Sequence, residues 1–524
     1  MKWGMRMLLQ AQKVKGYHCA NYFIIIIAVR RVKMAKAKFF SITIAMALVL
    51  SVGLAALVPG EVLAQPPYWA KTYGGTGYDF AYSIQETSDG GYIVAGSTAS
   101  FGAGSDDFWV LKLYSNGNVA WQKTYGGADY DYAYSIQQTS DGGYIVAGET
   151  WSFGAGSRDF WVLKLYSNGN VAWQKTYGGI NADDVAFSIR QTQEGGYIVA
   201  GRTDSSLGAG KDDVWVLKLD ANGNVTWQKT YGGGNWDYAY SIQQTSEGGY
   251  IVAGWTDSFG AGNDDVWVLK LDSAGNVTWQ KTYGGANDDA AFSIQETSNG
   301  GYIVAGQTWS FGAGNFDFWV LRLDSTGNVA WQKTYGGADY DSAYSIRETS
   351  DGGYIVAGGT GSFGAASVDF WVLKLDSTGN VTWQETYGGA DYDHALSIQQ
   401  TSNGGYIVAG MTVSFGAGVG DDWVLKLNAT GSIPDCPLGV ASDADISDTS
   451  VPDVSTVILG EDTDADIDSP GYGTLNTDCT IDTQCYYAPQ PIGVPTVNQW
   501  GIAAMITLFA GLLLWAVRRR RLAS

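Results

Sequence analysis

Histidine is nearly absent: the 524 residues hold two, His18 and His394. That scarcity argues against a Ser-His-Asp or Cys-His nucleophile system and against a histidine-ligated zinc site. Cysteine is also rare. Three of the four cysteines, Cys436, Cys479 and Cys485, fall near the C-terminal end, and three leave one over. Cys479 with Cys485 is the shortest closure, but spacing alone does not choose a pairing. Positive charge is the next shortage, with 31 Lys plus Arg against 52 Asp plus Glu and a formal net charge of −21. The basic residues collect at the ends, nine in 1–64 and four in 518–521, so residues 65–517 carry about −33. A surface of that sign repels nucleic acid and anionic membrane and attracts cations. Helical periodicity is missing as well: no stretch between 66 and 490 returns its apolar residues every three to four positions.

What the chain has in excess is repetition. Trp-Gln-Lys-Thr-Tyr-Gly-Gly, or a near copy, begins at Trp69, Trp121, Trp173, Trp227, Trp279, Trp331 and Trp383, with five intervals of 52 residues and one of 54. Units of this size cannot bury an apolar face alone, so residues 65–433 form one object and not several domains. Within one copy, Tyr132–Gln138 alternates large and small side chains, as a strand with two unlike faces does. Asp141-Gly142 marks a hairpin, Gly143–Gly148 a buried strand, and Trp151–Ser157 a longer loop. Phe160–Leu165 and Val171–Tyr177 are two more strands, joined by a tight turn at Asn168-Gly169. Seven such four-stranded antiparallel units predict an all-β fold, a seven-bladed β-propeller; a solenoid of meanders is the alternative and would need capping repeats at each end.

The ends of the array favour the ring. After Asp422–Leu427 the seventh unit reads Asn428-Ala-Thr-Gly-Ser-Ile-Pro434-Asp, which cannot continue into an outer strand. The array opens instead with an orphan outer strand at Tyr68–Tyr73, which is expected to close blade 7.

In such a ring the Asp-Gly and Asn-Gly hairpins share one face; the Gly-Gly crossovers and the Ser-Phe-Gly-Ala-Gly loops share the other. Variation gathers on this long-loop face. The 54-residue unit places its extra residues in Ile180–Asp183 and Asp204–Leu207. The end of the second strand reads Ser97, Glu149, Arg202, Trp255, Gln307, Gly359 and Met411 in successive blades. Two residues later stand Ala99, Trp151, Asp204, Asp257, Trp309, Gly361 and Val413. A rigid scaffold presenting variable loops suits recognition, and drift in exposed loops is the plainer reading. Aromatic rings precede several inner strands, at Tyr78, Tyr130, Trp236, Tyr340 and Tyr392. With Trp151, Trp255 and Trp309, from the variable positions after or at the end of the second strand, they are the candidate ligand-binding residues. They serve stacking on sugars or packing between blades.

Two aspartates recur in every unit. Asp79, Asp131, Asp184, Asp237, Asp289, Asp341 and Asp393 open the inner strands, and Asp107, Asp159, Asp213, Asp265, Asp317, Asp369 and Asp421 open the third strands. The first set could ring the channel mouth and hold Ca²⁺. Alternatively each carboxylate caps its own Gly-rich loop, a need every blade shares, and this reading is preferred. No other cofactor is expected. Lys211 follows Gly-Ala-Gly, but Asp212 stands where a phosphate loop needs Ser or Thr. A carboxylate pair for glycoside hydrolysis is not singled out among so many acids.

Residues 34–64 have the basic, apolar and small-residue regions of a secretory signal, with 1–33 as an upstream extension. Residues 434–494 form an acidic Pro/Asp/Thr-rich linker, and Asp462–Asp468 resembles the opening of a calcium loop without its glycine and closing glutamate. Ile502–Val517 is apolar and precedes four arginines, so 495–524 reads as a short transmembrane helix with a cytoplasmic basic stop. Val494–Gly501, the helix and the arginines together resemble the IPTL-CTERM type of bacterial C-terminal sorting signal. That resemblance implies export, temporary membrane retention and processing at the envelope. The Trp-Val-Leu-Lys-Leu-Asp and Trp-Gln-Lys-Thr-Tyr-Gly-Gly blocks are similar to those of exported bacterial and archaeal propeller proteins, which implies a fold and no activity.

The expectation is therefore a non-enzymatic, envelope-displayed propeller. It would bind a polysaccharide or surface protein through its long-loop face. The alternatives are a carboxylate-dependent, polysaccharide-active enzyme and a structural surface-layer component.

Overall fold

The computed structural model describes residues 68–434, apart from 156, 181, 205–207, 209 and 366, together with six short strands between 439 and 487. The expected signal and C-terminal helix lie outside the described residues. Every regular element described is a β-strand.

Blade 2 shows how the repeat folds. Asp131–Gln138, Tyr144–Thr150, Asp159–Leu165 and Val171–Gly178 pair in sequence order, all antiparallel. The hairpins turn at Gly142 and Gly169, with φ of 81° and 77°, a left-handed conformation that glycine adopts without a Cβ penalty. The two middle strands are buried along their full length because both sheet faces are covered by neighbouring blades. Blades 1 to 6 are each continuous in sequence. Blade 7 takes Asp393–Gln400, Tyr406–Thr412 and Asp421–Leu427 from the end of the array and Tyr68–Gly74 from its start. The orphan strand thus closes the ring, as expected.

Three sets of contacts join each blade to the next, and all recur at the seam between blades 7 and 1. The first is apolar packing: Phe108 of blade 1 rides on Trp161 of blade 2 with ring centroids 4.5 Å apart. At the seam, Ile407, Ala409 and Val424 pack with Ala81, Val94 and Trp109. Removing one of these buried indoles costs about 3–5 kcal/mol. The second set explains the repeated motif, whose Trp, Lys and Tyr all grip the Asn-Gly hairpin of the next blade. Trp69 Nε1 donates to the Ser115 carbonyl at 3.2 Å, Lys71 Nζ to Asn118 Oδ1 at 2.8 Å, and Tyr73 Oη to the Gly117 carbonyl at 2.6 Å. The third is a belt around the channel. Ser83, Ser135, Ser188, Ser241, Ser293 and Ser345 each accept the backbone N–H of an isoleucine in the following blade. Ser397 closes the belt by accepting from Ile84 at 3.2 Å.

The stretch read as a linker adds strands to the rim. Gly439–Ala441, Asp445–Asp448, Glu461–Asp462, Asp466–Asp468, Leu475–Asn476 and Thr480–Tyr487 pair antiparallel with the outer strands of blades 6, 5, 3, 2, 1 and 7 in turn. The chain therefore retraces the ring backwards and covers outer edges that would otherwise offer unpaired N–H and C=O groups.

Candidate binding face and channel

The inner strand of each blade runs from the long-loop face to the hairpin face and lines the channel. A β-bulge interrupts it, at Ala81/Ser83 in blade 1, which leaves Tyr82 as an extra residue beside the channel. The same bulge in other blades presents Tyr134, Phe187, Tyr240, Phe292 and Tyr344. Neighbouring rings touch in order around the wall, with centroids 4.7–5.3 Å apart. This aromatic girdle runs through blades 1 to 6, is open at blade 7 where the bulge residue is Leu396, and marks the boundary between the long-loop side and the hairpin side of the channel.

The first aspartate set lies inside the blades. Asp79, Asp131, Asp184, Asp237, Asp289, Asp341 and Asp393 are fully buried. Asp79 Oδ2 accepts the Gly75 N–H at 2.8 Å and the Ser100 hydroxyl at 2.7 Å, while Oδ1 accepts the Thr98 hydroxyl. A ring of donors suits the capping reading; a cation would have to displace all of them. Among the described residues no group of three or more His, Cys, Asp or Glu side chains is arranged to hold a metal.

Sequence spacing did not reveal that the two aspartate sets meet. Asp107 of blade 1 accepts the Ala103 and Gly104 N–H groups at 2.8 and 3.2 Å and also approaches Asp131 of blade 2. Gly126 separates the two carboxylates: a Cβ there would lie 1.7 Å from Asp107 Oδ1 and 2.8 Å from Asp131 Oδ2. Burial, reinforced by the facing acid, pushes Asp107, Asp237 and Asp265 up to about 6 and Asp184 up to about 7.

The candidate aromatics divide into two groups. Tyr78, Tyr130, Trp151, Trp236, Trp309 and Tyr392 are exposed on the rim. Tyr130 and Trp151 meet edge to face, with centroids 6.1 Å apart, and the Arg158 guanidinium lies 5.2 Å from the Trp151 ring. Lys211 Nζ sits 3.3 Å from the Trp236 ring. Trp309 packs beside Phe316, which in turn touches Tyr340. Trp255 and Tyr340 are less exposed and turn toward the channel. Trp255 stacks on Tyr238 at 4.3 Å, and Tyr340 Oη bonds Gln307 at 3.0 Å. The eight therefore do not converge on one pocket; six spread around the rim and two guard the mouth.

Blades 2 and 3 carry a charged cluster at that mouth. Arg158 bridges Asp183 at 2.8 Å and Glu149 at 3.5 Å, and Arg202 bridges Asp212 at 2.7 Å. Burial raises Glu149 above the usual carboxylate range, opposed by Arg158. The residue before each second-set aspartate was overlooked, although it reads Asp106, Arg158, Asp212, Asp264, Phe316, Val368 and Gly420 across the blades. Aligning that column would have exposed its variation. His394 is buried against Tyr344, bonds Tyr392 Oη through Nδ1 at 2.7 Å, and is pushed down to about 4 by burial, so it is neutral.

No family model matches the chain. A regulatory protein of Caulobacter vibrioides, FlaEY, is 25% identical over 316 residues, which is 53% of this chain and 32% of that protein. The chain thus spans about a third of that relative's length. Among solved structures, Sqt1 from Chaetomium thermophilum matches with a TM-score of 0.39 at 13% identity, covering 64% of this chain and 81% of that one. An endo-1,5-alpha-L-arabinanase from Thermotoga petrophila matches at 0.25 and 12%, covering 70% of this chain and 100% of its own. At these scores the likenesses carry no argument about activity.

Proposed function

We propose that this propeller is a non-enzymatic binding module whose long-loop face holds a polysaccharide. One observation carries the reading. Ten large hydrophobic side chains are exposed among the described residues, and eight belong to the long-loop face: Tyr78, Tyr130, Trp151, Ile180, Trp236, Trp309, Tyr392 and Val419. Tyr and Trp rings offer an apolar face and a polar edge, as sugar stacking requires, and the adjacent Arg, Asp and Gln side chains supply hydrogen bonds to hydroxyls. Rings spread over several blades suit an extended chain better than a small molecule. The signal-like N-terminus and the sorting-signal-like C-terminus support display at the cell envelope or release from it, with the C-terminal helix as a transient membrane anchor.

A glycan array probed with the full-length protein tests this. Saturable binding to a glycan class is expected, weakened by Trp151→Ala, Trp236→Ala and Trp309→Ala with no loss of melting temperature. Shortened glycan products, abolished by an Asp→Asn change at the mouth, would establish the enzyme instead. Absence of saturable binding would leave the surface-layer reading.

A further inference from the structure

On the hairpin side of the girdle the inner strands form a second belt. Gln85, Gln137, Gln243, Gln295 and Gln399 each accept, through Oε1, a backbone N–H of the following blade: those of Gln138, Gln191, Glu296, Glu348 and Glu86, at 2.7–3.2 Å. Blades 3 and 6 break this belt. Arg190 and Arg347 occupy the glutamine position, and arginine has no acceptor to offer, so two of seven possible belt bonds are lost.

Both guanidiniums lie along the channel wall. Arg190 Nη1 donates to Ser135 Oγ at 3.1 Å and to the Ile189 carbonyl at 2.8 Å. Arg347 Nη1 repeats this with Ser293 Oγ at 3.2 Å and the Ile346 carbonyl at 2.7 Å. Their Nε and Nη2 groups have no partner among the described residues, and no carboxylate there pairs with either side chain. Burial lowers both, and Arg347 adds repulsion that brings Arg190 down to about 10. Blades 3 and 6 stand as far apart as a seven-membered ring permits, so the two cations approach from opposite walls. In a chain of net charge −21, a half-buried pair of unneutralised like charges is costly and serves no belt.

We propose that this layer is an anion site in which Arg190 and Arg347 clamp a multivalent oxyanion, a sulfate or phosphate group either free or carried on an acidic polymer. The forked donors suit several oxygens on one centre, which a spherical halide does not provide. The site lies across the girdle from the long-loop face and stands independently of the proposed glycan binding.

Calorimetry and thermal melts of the full-length protein test it with two probes, inorganic sulfate and a sulfated oligosaccharide, against sodium chloride at equal ionic strength. Wild type is expected to bind one sulfate group per chain. Arg190→Gln or Arg347→Gln should weaken binding roughly tenfold or more, and the double variant should abolish it. That variant restores the residue found in five blades and should melt in chloride at or above the wild-type temperature, which separates lost binding from lost folding. Sulfate's general salting effect acts on both proteins, so the difference between them is the readout. Response to inorganic sulfate identifies a free anion; response to the oligosaccharide alone identifies a polymer-borne group. If neither probe separates wild type from the double variant, the site does not exist.

Discussion

Replacing Asp422 by valine should stabilise the protein, and by more as the pH rises. Asp422 is fully buried with both carboxylate oxygens lacking a hydrogen-bond partner. The other six blades place Phe108, Phe160, Val214, Val266, Phe318 and Phe370 at this position, all buried against the next blade. Removing an unsatisfied buried polar group is worth about 1–3 kcal/mol, and burying a valine adds about 1.5 kcal/mol. Burial, with Asp79 and Asp421 nearby, raises the Asp422 carboxyl well above the usual range. A carboxyl raised in the folded state favours folding fully only below its unfolded value. That contribution disappears as pH rises, at about 1.4 kcal/mol per unit until the folded value is passed. Asp422→Val removes this dependence, so its advantage over wild type should grow between pH 5 and pH 8. Asp422→Asn should show the same pH trend without the packing gain. For a ring of this size each kcal/mol moves the melting temperature by about 1 °C, so the neutral-pH gain is about 3 °C or more by calorimetry. A gain that is absent, or identical at both pH values, would refute the reasoning.

Other consequences follow from the paired aspartates. With Asp107, Asp237 and Asp265 pushed up to about 6 and Asp184 to about 7, folding takes up protons, so the melting temperature should fall as pH rises from about 5 to 8. Gly126→Ala puts a Cβ 1.7 Å from Asp107 Oδ1 and should cost several times the roughly 1 kcal/mol of Gly142→Ala, where nothing lies within 4 Å, as read by chemical denaturation. Because donors of their own loops surround the first-set carboxylates, EDTA should leave the melting temperature unmoved; a drop of several degrees would restore the calcium reading.

Much of the fold was legible in the repeats because each unit carries its own turn chemistry. Asp-Gly and Asn-Gly fixed the hairpins, and the mismatch between Tyr68–Tyr73 and Pro434 located the seam. The rim aromatics were legible too, since they vary between otherwise similar units. Contacts between blades were not. Asp107 and Asp131 meet only after two sheets stack, and the girdle depends on a bulge that strict period-two alternation does not announce. Arg190, Arg347 and Asp422 could have been noticed as departures within their columns. What gives them meaning is the lost belt bond or the buried oxygen, which only the packed ring provides. The edge strands contributed by residues 439–487 escaped for another reason: their acidic, Pro-containing sequence carries no apolar alternation.

Hydrogen–deuterium exchange of the full-length protein, with and without a glycan identified on the array, tests the binding face most directly. Protection is predicted in the loops around Trp151, Trp236 and Trp309 and in the crossovers at Tyr78 and Tyr392, with the Asp-Gly and Asn-Gly hairpins unchanged. Protection confined to the hairpins or the outer strands would contradict the account.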